Sequence, residues 1–253
     1  MSHATVDFHG VTVVATKPRD AADALISRAL GGGPPTAYRL VNSYTFALAS
    51  RDASYMELLR GPGVNLPDGG PLSTVLRHTS EPMCHQVRGP GLFEACLDLG
   101  RARGLRHFFL GGSPETLQRL VEQVQDRFPG CAVTGHWSPP FRALSDAERA
   151  KQDRIIAESG ADVVWVGLGT PKQDVEALRL VRSVGICAAA VGAAFDFTAG
   201  TKSVAPRWMQ RAHLEWAYRL ATEPQRLWKR YLFGNLQFLR LALQHVRRHR
   251  LPS

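Results

Sequence analysis

The chain has 253 residues, of which 44% are hydrophobic and 21% charged, a composition typical of a soluble globular protein with one large or two small domains. It has no apolar run of about 18 residues, which argues against a transmembrane helix, and its N-terminal stretch lacks the pattern of a signal peptide. Its four scattered cysteines form neither a CxxC pair nor a zinc-ligand spacing, so we expect reduced thiols in a cytoplasm and no metal site.

The net charge of +9 is concentrated at the carboxyl end. From Arg207 onward, nine Arg and one Lys stand against two Glu, so this segment carries +8 of the total. A basic segment on a nearly neutral body suggests an acidic partner, for which phosphates, an anionic membrane surface and nucleic acid are the candidates.

The first third of the chain alternates apolar runs with turn residues. It predicts a strand–turn–strand over 6–15, a helix over 19–30, a strand over 38–41, helices over 43–50 and 55–59, a strand over 64–66, and a helix from 72. The helix over 55–59 has Asp52 as a good N-cap, and 67–70 is a tight turn.

The next stretch continues the alternation. It predicts a helix over 92–103, a strand over 106–110, a helix capped by Ser113 and ending at 128, a strand over 131–135, a loop over 136–143, a helix over 145–159, and strands over 163–166 and 186–191. Such alternation is typical of an α/β fold with a Rossmann-like, doubly wound, mainly parallel sheet. We therefore expect an α/β core over 1–200 and a basic helical segment over 201–253.

Several predicted strands end in polar or glycine-rich turns, at Asn42, Asp68, Gly111 and Gly167. The handedness of parallel crossovers places such turns at one edge of the sheet, where ligands bind.

The stretch 161–174, ADVVWVGLGTPKQD, combines a buried strand, a glycine turn and a predicted helix start with Thr170 as N-cap and Pro171 as first residue. Lys172 and Gln173 then lie beside free N–H groups, which favours an anion site. An ordinary turn with a solvated Lys172 is the alternative.

The segment after 200 is helical, amphipathic and split at Pro224. It is either a cap packed on the sheet or a surface that meets a membrane or a phosphate group.

Six stretches occur together in order: LPDGG at 66–70, FFLGGSPETL at 108–117, FPG at 128–130, VWVGLGTPKQ at 164–173, VGAAFDFTAG at 191–200 and LEWAYRLATEPQRLWKRY at 214–231. With them the chain resembles the WecG/TagA/CpsF glycosyltransferases, glycosyltransferase family 26, over about residues 6–235.

The resemblance implies an inverting, metal-independent and cofactor-free transfer from a UDP-sugar to a saccharide on polyprenyl diphosphate. The donor sugar is N-acetylmannosamine, N-acetylmannosaminuronate or glucose. The reaction takes place at the inner face of the bacterial plasma membrane, where the C-terminal helices dock, and serves exopolysaccharide or cell-envelope synthesis. The resemblance leaves open whether the protein forms a homo-oligomer.

Residue by residue, the resemblance implies that Asp68 is the catalytic base and that Asn42 lies near the sugar. It places Arg219, Arg226 and Lys229 at a diphosphate of donor or acceptor. The candidates for donor binding come from the matched glycine turns and motifs: Gly111, Gly112, Ser113, Gly169, Pro171, Lys172, Gln173, Phe195 and Asp196. The chain departs from the family pattern at Leu40, often Thr, and at Val204, usually Arg.

Two other classes of protein have less support in the sequence. A dinucleotide-dependent oxidoreductase would need a GxGxxG after the first strand with an acidic residue about 20 positions on. A nucleic-acid-binding module would rest on the basic tail alone, without a zinc, helix-turn-helix or RNP-like pattern. We expect no nucleic-acid partner.

Overall fold

The structure is a computed structural model that describes residues 4–203, 205–206, 209 and 215–250, without the side chains at 215–216, 219, 226–233 and 249–250. The strands are β1 (Thr5–Phe8), β2 (Val11–Val14), β3 (Ala37–Val41), β4 (Val64–Pro67), β5 (Arg106–Leu110), β6 (Ala132–Trp137), β7 (Val163–Val166) and β8 (Cys187–Ala190).

The helices of the described ranges alternate with these strands from β3 onward. They are α1 (Pro18–Ala29), α2 (Ser43–Ala49), α3 (Ala53–Arg60), α4 (Gly70–Thr79), α5 (Gly89–Arg101), α6 (Pro114–Arg127), α7 (Asp146–Glu158), α8 (Lys172–Ser183), α9 (Ala194–Thr198), α10 (Glu215–Thr222) and α11 (Pro224–Arg250).

Six strands form one sheet in the order β4-β3-β8-β7-β5-β6, and every neighbouring pair is parallel. This confirms the predicted α/β class with a mainly parallel, doubly wound sheet. All six strands end at the same edge, so the turns that follow them converge there.

Both faces of the sheet are covered, as expected for strands without polar alternation. On one face, the rings of Phe93, Phe109, Trp165 and Phe195 form a buried cluster whose centroids lie 5.0–5.6 Å apart. On the other face, α8 packs on the alternate residues of β7 and β8. This core fixes the edge that carries the turns.

The β1–β2 hairpin lies outside the main sheet and shares a second core with α2, α3, α4 and the far half of α11. Phe8 is fully buried against Phe46, at 4.7 Å between ring centroids, and against Phe238 of α11. His9 Nε2 donates to the Leu241 carbonyl oxygen at 2.9 Å. The carboxyl half of α11 therefore covers the hairpin.

The predicted loop over 136–143 begins too early. His136 and Trp137 belong to β6, because they pair with Phe109 and Leu110 of β5. The connection from β6 to α7 therefore begins at residue 138.

Candidate functional site

A cavity of about 800 Å³ opens at the edge where the six parallel strands end. Its lining comes from the turn after each strand, and most of the predicted site residues are among it: Asn42, Asp68, Gly112, Ser113, Gly169, Pro171, Lys172, Gln173 and Asp196. The chain thus brings residues 42 to 196 to one place, as the parallel topology predicts.

Asn42 and Asp68 are neighbours because β3 pairs with β4, with Val41 opposite Pro67. The Asp68 amide donates to the Val41 carbonyl oxygen at 2.7 Å, and the Asp68 side chain is half-buried. Gly69 follows with φ +89°, a left-handed conformation that glycine adopts without a steric cost. The turn therefore presents a carboxylate at the cavity wall beside an amide side chain.

Asn42 is also the N-cap of α2. Its Oδ1 accepts from the amides of Tyr44 and Thr45 at 3.0 and 3.1 Å, and from the Thr45 hydroxyl at 3.3 Å. These bonds fix the side chain by its oxygen. The amide nitrogen is the end that remains to donate to a ligand.

The turn after β7 is closed by Gln173, which is 3% exposed. The backbone N–H of Gly169 donates to Gln173 Oε1 at 3.0 Å, and the backbone N–H of Gln173 donates to the Gly169 carbonyl oxygen at 3.0 Å. The helix starts one residue later than predicted, since Pro171 is the N-cap and Lys172 the first residue of α8. Lys172 is exposed at the cavity wall, at the amino end of a helix.

The turn after β5 has the predicted cap. Thr116 donates its amide to Ser113 Oγ at 3.2 Å, and Pro114 is the first residue of α6. Gly111, with φ +110°, is not among the lining residues, and an added Cβ there would lie 2.7 Å from the Gly167 carbonyl oxygen. The absence of a side chain at Gly111 lets the turns after β5 and β7 approach each other closely.

Two donor-binding candidates after β8, Phe195 and Asp196, differ in their relation to the cavity. Phe195 is 2% exposed in the aromatic cluster and does not line the cavity. Asp196 lines it, and its carboxylate pairs with Lys202 Nζ at 3.0 Å, which in turn lies 3.7 Å from Glu223. This chain of charges links the β8 turn to Glu223, which lies between α10 and α11.

The three basic candidates of the C-terminal segment, Arg219, Arg226 and Lys229, have side chains that lie outside the described residues. Val204 is outside them as well, whereas Leu40 lines the cavity.

A buried ionisable cluster behind the cavity was missed from the sequence. The Tyr55 hydroxyl donates to Asp174 Oδ2 at 2.7 Å, and Asp174 directly follows Gln173. Burial raises the pKa of Asp174 to about 6, while the Tyr55 hydrogen bond and the Arg39 charge oppose that rise. Arg39 is fully buried and donates to the carbonyl oxygens of Gly61 and Pro62. The cluster ties the start of α8 to β3 and α3.

The sequence also gave no reason to single out the connection between β6 and α7. Its residues 139–144 line the cavity at the β6 end, together with Arg149 of α7. Basic and aromatic side chains in a loop indicate a binding site only once the strand order shows that the loop lies at the cavity.

Comparison with known proteins gives a family. The model of the glycosyl transferase WecG/TagA/CpsF family matches residues 6–252. A protein of Bacillus spizizenii, named N-acetylglucosaminyldiphosphoundecaprenol N-acetyl-beta-D-mannosaminyltransferase, is 30% identical over 206 residues, 81% of this chain and 77% of its own. Proteins of the same name from Bacillus subtilis and Staphylococcus aureus are 28% and 24% identical, over 76% and 78% of this chain and 73% and 74% of theirs.

The match extends over nearly the whole chain, and the cavity lies where an α/β enzyme binds its substrates. The oxidoreductase and nucleic-acid alternatives are therefore set aside. This chain belongs to the WecG/TagA/CpsF family and is a glycosyltransferase.

Proposed function

We propose that this chain transfers N-acetylmannosamine from a UDP-linked donor to N-acetylglucosamine on polyprenyl diphosphate, in the synthesis of a bacterial cell-envelope polysaccharide. The observation that carries the proposal is the name of the 30% identical relative, which states this transfer on undecaprenyl diphosphate. The cavity supports it, because a carboxylate and an amide lie side by side at one end of a long, partly basic cleft.

In the proposed mechanism the reaction is a single displacement with inversion. An acceptor hydroxyl oxygen attacks the anomeric carbon, the bond from that carbon to the UDP oxygen breaks, and Asp68 takes the hydroxyl proton. Asn42 donates from its amide nitrogen to the sugar. Lys172, with Arg219, Arg226 and Lys229, balances the charge that develops on the leaving diphosphate. Since the sequence has no Asp-x-Asp pair, we assign this role to protein cations without a metal ion.

The test is UDP release across UDP-N-acetylmannosamine, UDP-N-acetylmannosaminuronate and UDP-glucose, with a short polyprenyl-diphosphate N-acetylglucosamine as acceptor. We expect the first donor to be used best and the product to have the inverted anomeric configuration by NMR. Release from none of the three would overturn the proposal. Release that does not depend on the acceptor would make the enzyme a hydrolase.

We further propose that the enzyme works as a peripheral protein on the anionic inner face of the plasma membrane. Within the described parts of the chain, no helix has the length and apolarity to cross a bilayer. The exposed side of α11 supports surface binding, since Leu236, Leu239 and Leu243 are each about half exposed and basic residues follow at its end.

Two sets of basic residues then have different roles. Replacing Arg219 and Arg226 by Ala should lower transfer much more than co-sedimentation with anionic vesicles, because we assign them to diphosphate. Replacing Arg247, Arg248 and Arg250 should do the reverse. Equal effects of both sets on both measurements would contradict this division.

A further inference from the structure

The loop between β6 and α7, residues 138–144, forms the wall of the cavity beyond the last strand of the sheet. Phe141 is the middle residue of this loop, lines the cavity and is 95% exposed. A single exposed apolar side chain is ordinary on a protein surface. This one differs because it belongs to a cavity wall and because its backbone is held on both sides.

The loop is fixed at both ends. Ser138 Oγ donates to the Gly112 carbonyl oxygen at 2.7 Å, which joins the loop to the β5 turn. Arg142 donates from two nitrogens to Glu148 at 2.6 and 2.7 Å. Glu148 also closes the capping box of α7 with Ser145, and the Arg142 hydrogen bond lowers the pKa of Glu148 to about 2. The backbone on either side of Phe141 is thus held at the cavity, while the ring itself stays exposed.

Arg149 stands one residue after this anchor and also lines the cavity. Arg142 is neutralised by Glu148, whereas no hydrogen bond or ion pair from the described side chains reaches the half-buried Arg149 guanidinium. The β6 end of the cavity therefore offers both an aromatic face and an uncompensated cation.

The strand order sets what this end can contact. β4 and β6 are the opposite edges of the sheet, five strand intervals apart, which corresponds to about 24 Å at the usual spacing of about 4.8 Å. Asp68 follows β4, so Phe141 cannot touch the reacting hydroxyl there. Only an elongated ligand contacts both ends, and a nucleoside diphosphate sugar is such a ligand, with its sugar at one end and its base at the other.

We propose that the β6–α7 loop holds the nucleotide end of the donor, with the Phe141 ring stacked on the base and the Arg149 guanidinium paired with the diphosphate. This inference rests on the proposed UDP-sugar donor. The sugar then lies over β3 and β4, beside Asn42 and Asp68. The diphosphate crosses the turns after β7 and β8, where Lys172 supplies a second cation.

The prenyl chain of the acceptor is the other apolar group that such a ring would contact. The described part of the chain favours the nucleotide. The α11 helix, with its exposed leucines, packs on α2 and α4, near β3 and β4 and away from the β6 loop. The cation beside Phe141 suits a phosphate and adds nothing to a hydrocarbon.

The test is the binding of UDP and of inorganic pyrophosphate to the full chain by titration calorimetry. Phe141→Ala should weaken UDP binding about 5- to 150-fold, the effect of removing one base–aromatic stack, and leave pyrophosphate binding unchanged. Phe141→Trp should retain UDP affinity. Arg149→Ala should weaken both ligands about tenfold or more, because both contain the diphosphate. Leu30→Ala is the control, because Leu30 is an exposed apolar residue at the end of α1 that does not line the cavity.

The outcomes separate this inference from the proposed function. If the parent chain binds UDP and Phe141→Ala binds it equally well, the inference is wrong and the donor class stands. If the parent chain does not bind UDP, both the proposed UDP-sugar donor and this inference are wrong. If Phe141→Ala leaves the UDP affinity unchanged but raises the KM for the acceptor, the loop contacts the acceptor, and the inference is wrong. Because the ring is 95% exposed, the melting temperature of Phe141→Ala should equal that of the parent.

Discussion

Asp174 makes the stability of this enzyme depend on pH in a direction opposite to that of an ordinary surface carboxylate. The side chain is 2% exposed, accepts the Tyr55 hydroxyl at 2.7 Å and lies in the field of Arg39. Burial raises its pKa from an ordinary value of 3.8 to about 6. The folded protein therefore holds a proton on Asp174 at a pH where the unfolded chain has lost it.

The magnitude follows from the two pKa values. Because the folded pKa lies above the unfolded one, the contribution of Asp174 to stability is complete below pH 4 and is lost as the pH rises through about 6. A difference of about two pH units, at 1.36 kcal/mol each, corresponds to about 3 kcal/mol. Asp174→Asn imitates the protonated form and keeps an oxygen that accepts the Tyr55 hydroxyl. The free energy of unfolding of this variant, relative to the parent, should rise by about 2–3 kcal/mol between pH 4 and pH 7.

The assay is urea unfolding of the parent and the variant at half-unit steps from pH 4 to pH 7.5. Other carboxyl groups titrate over the same range, so the quantity of interest is the difference between the two curves. Asp126→Asn, at an exposed position of α6, is the control for the loss of one carboxyl group. A flat or falling difference for Asp174→Asn would refute the reasoning. Tyr55→Phe should move the loss of stability to higher pH, because the Tyr55 hydrogen bond holds the Asp174 pKa down.

Three further predictions concern the site. Asp68→Asn should lower kcat by about 10²- to 10⁴-fold, the usual contribution of a general base, and leave the Kd for UDP unchanged; a loss below tenfold would move the role to another residue. Transfer should persist in excess EDTA, and a loss on chelation that Mg²⁺ or Mn²⁺ restores would contradict the assignment of charge balance to protein cations. Gly167→Ala should destabilise the fold by about 1–3 kcal/mol in urea unfolding, because the new Cβ would lie 2.7 Å from the Phe195 ring; an unchanged midpoint would show that the ring moves aside freely.

Local signals were enough to predict most elements and the position of the site. Asn42, Asp52, Ser113 and Ser145 each stand before an apolar-periodic run, and the side chain of each accepts a hydrogen bond from the helix that follows it. Parallel strands end at one edge, so turns far apart in the chain could be assigned to one cavity before the strand order was known.

Contacts that depend on the strand order could not be predicted. Tyr55 and Asp174 are 119 positions apart, and Arg39 lies in a strand that reads as apolar. His107 is similar, because only the pairing of β5 with β7 brings its Nδ1 within 3.0 Å of the Trp165 Nε1 that donates to it. Burial lowers the pKa of His107 to about 4, so it is neutral in the core.

The C-terminal segment shows a second limit. Its charge and amphipathic spacing are visible in the sequence, and the division at residue 200 stays a prediction. The structure adds that Phe238 and Ala242 belong to the core of the β1–β2 hairpin, which is at the other end of the chain. Removing the segment would therefore expose Phe8 and Phe46. For this reason, point substitutions test its role better than truncation does.

Several candidate site residues also hold the backbone of the turn in which they stand. Asn42 caps α2 with its oxygen, Ser113 caps α6, and Gln173 closes the turn at Gly169. Folding thus orders these turns before a ligand arrives, and binding does not have to supply that ordering. A loss of activity in Asn42→Ala would not by itself identify a contact with the sugar, because losing the cap costs about 0.5–2 kcal/mol. Asn42→Asp keeps the accepting oxygen and removes the N–H donor, so only this change separates a role in the reaction from a role in the fold.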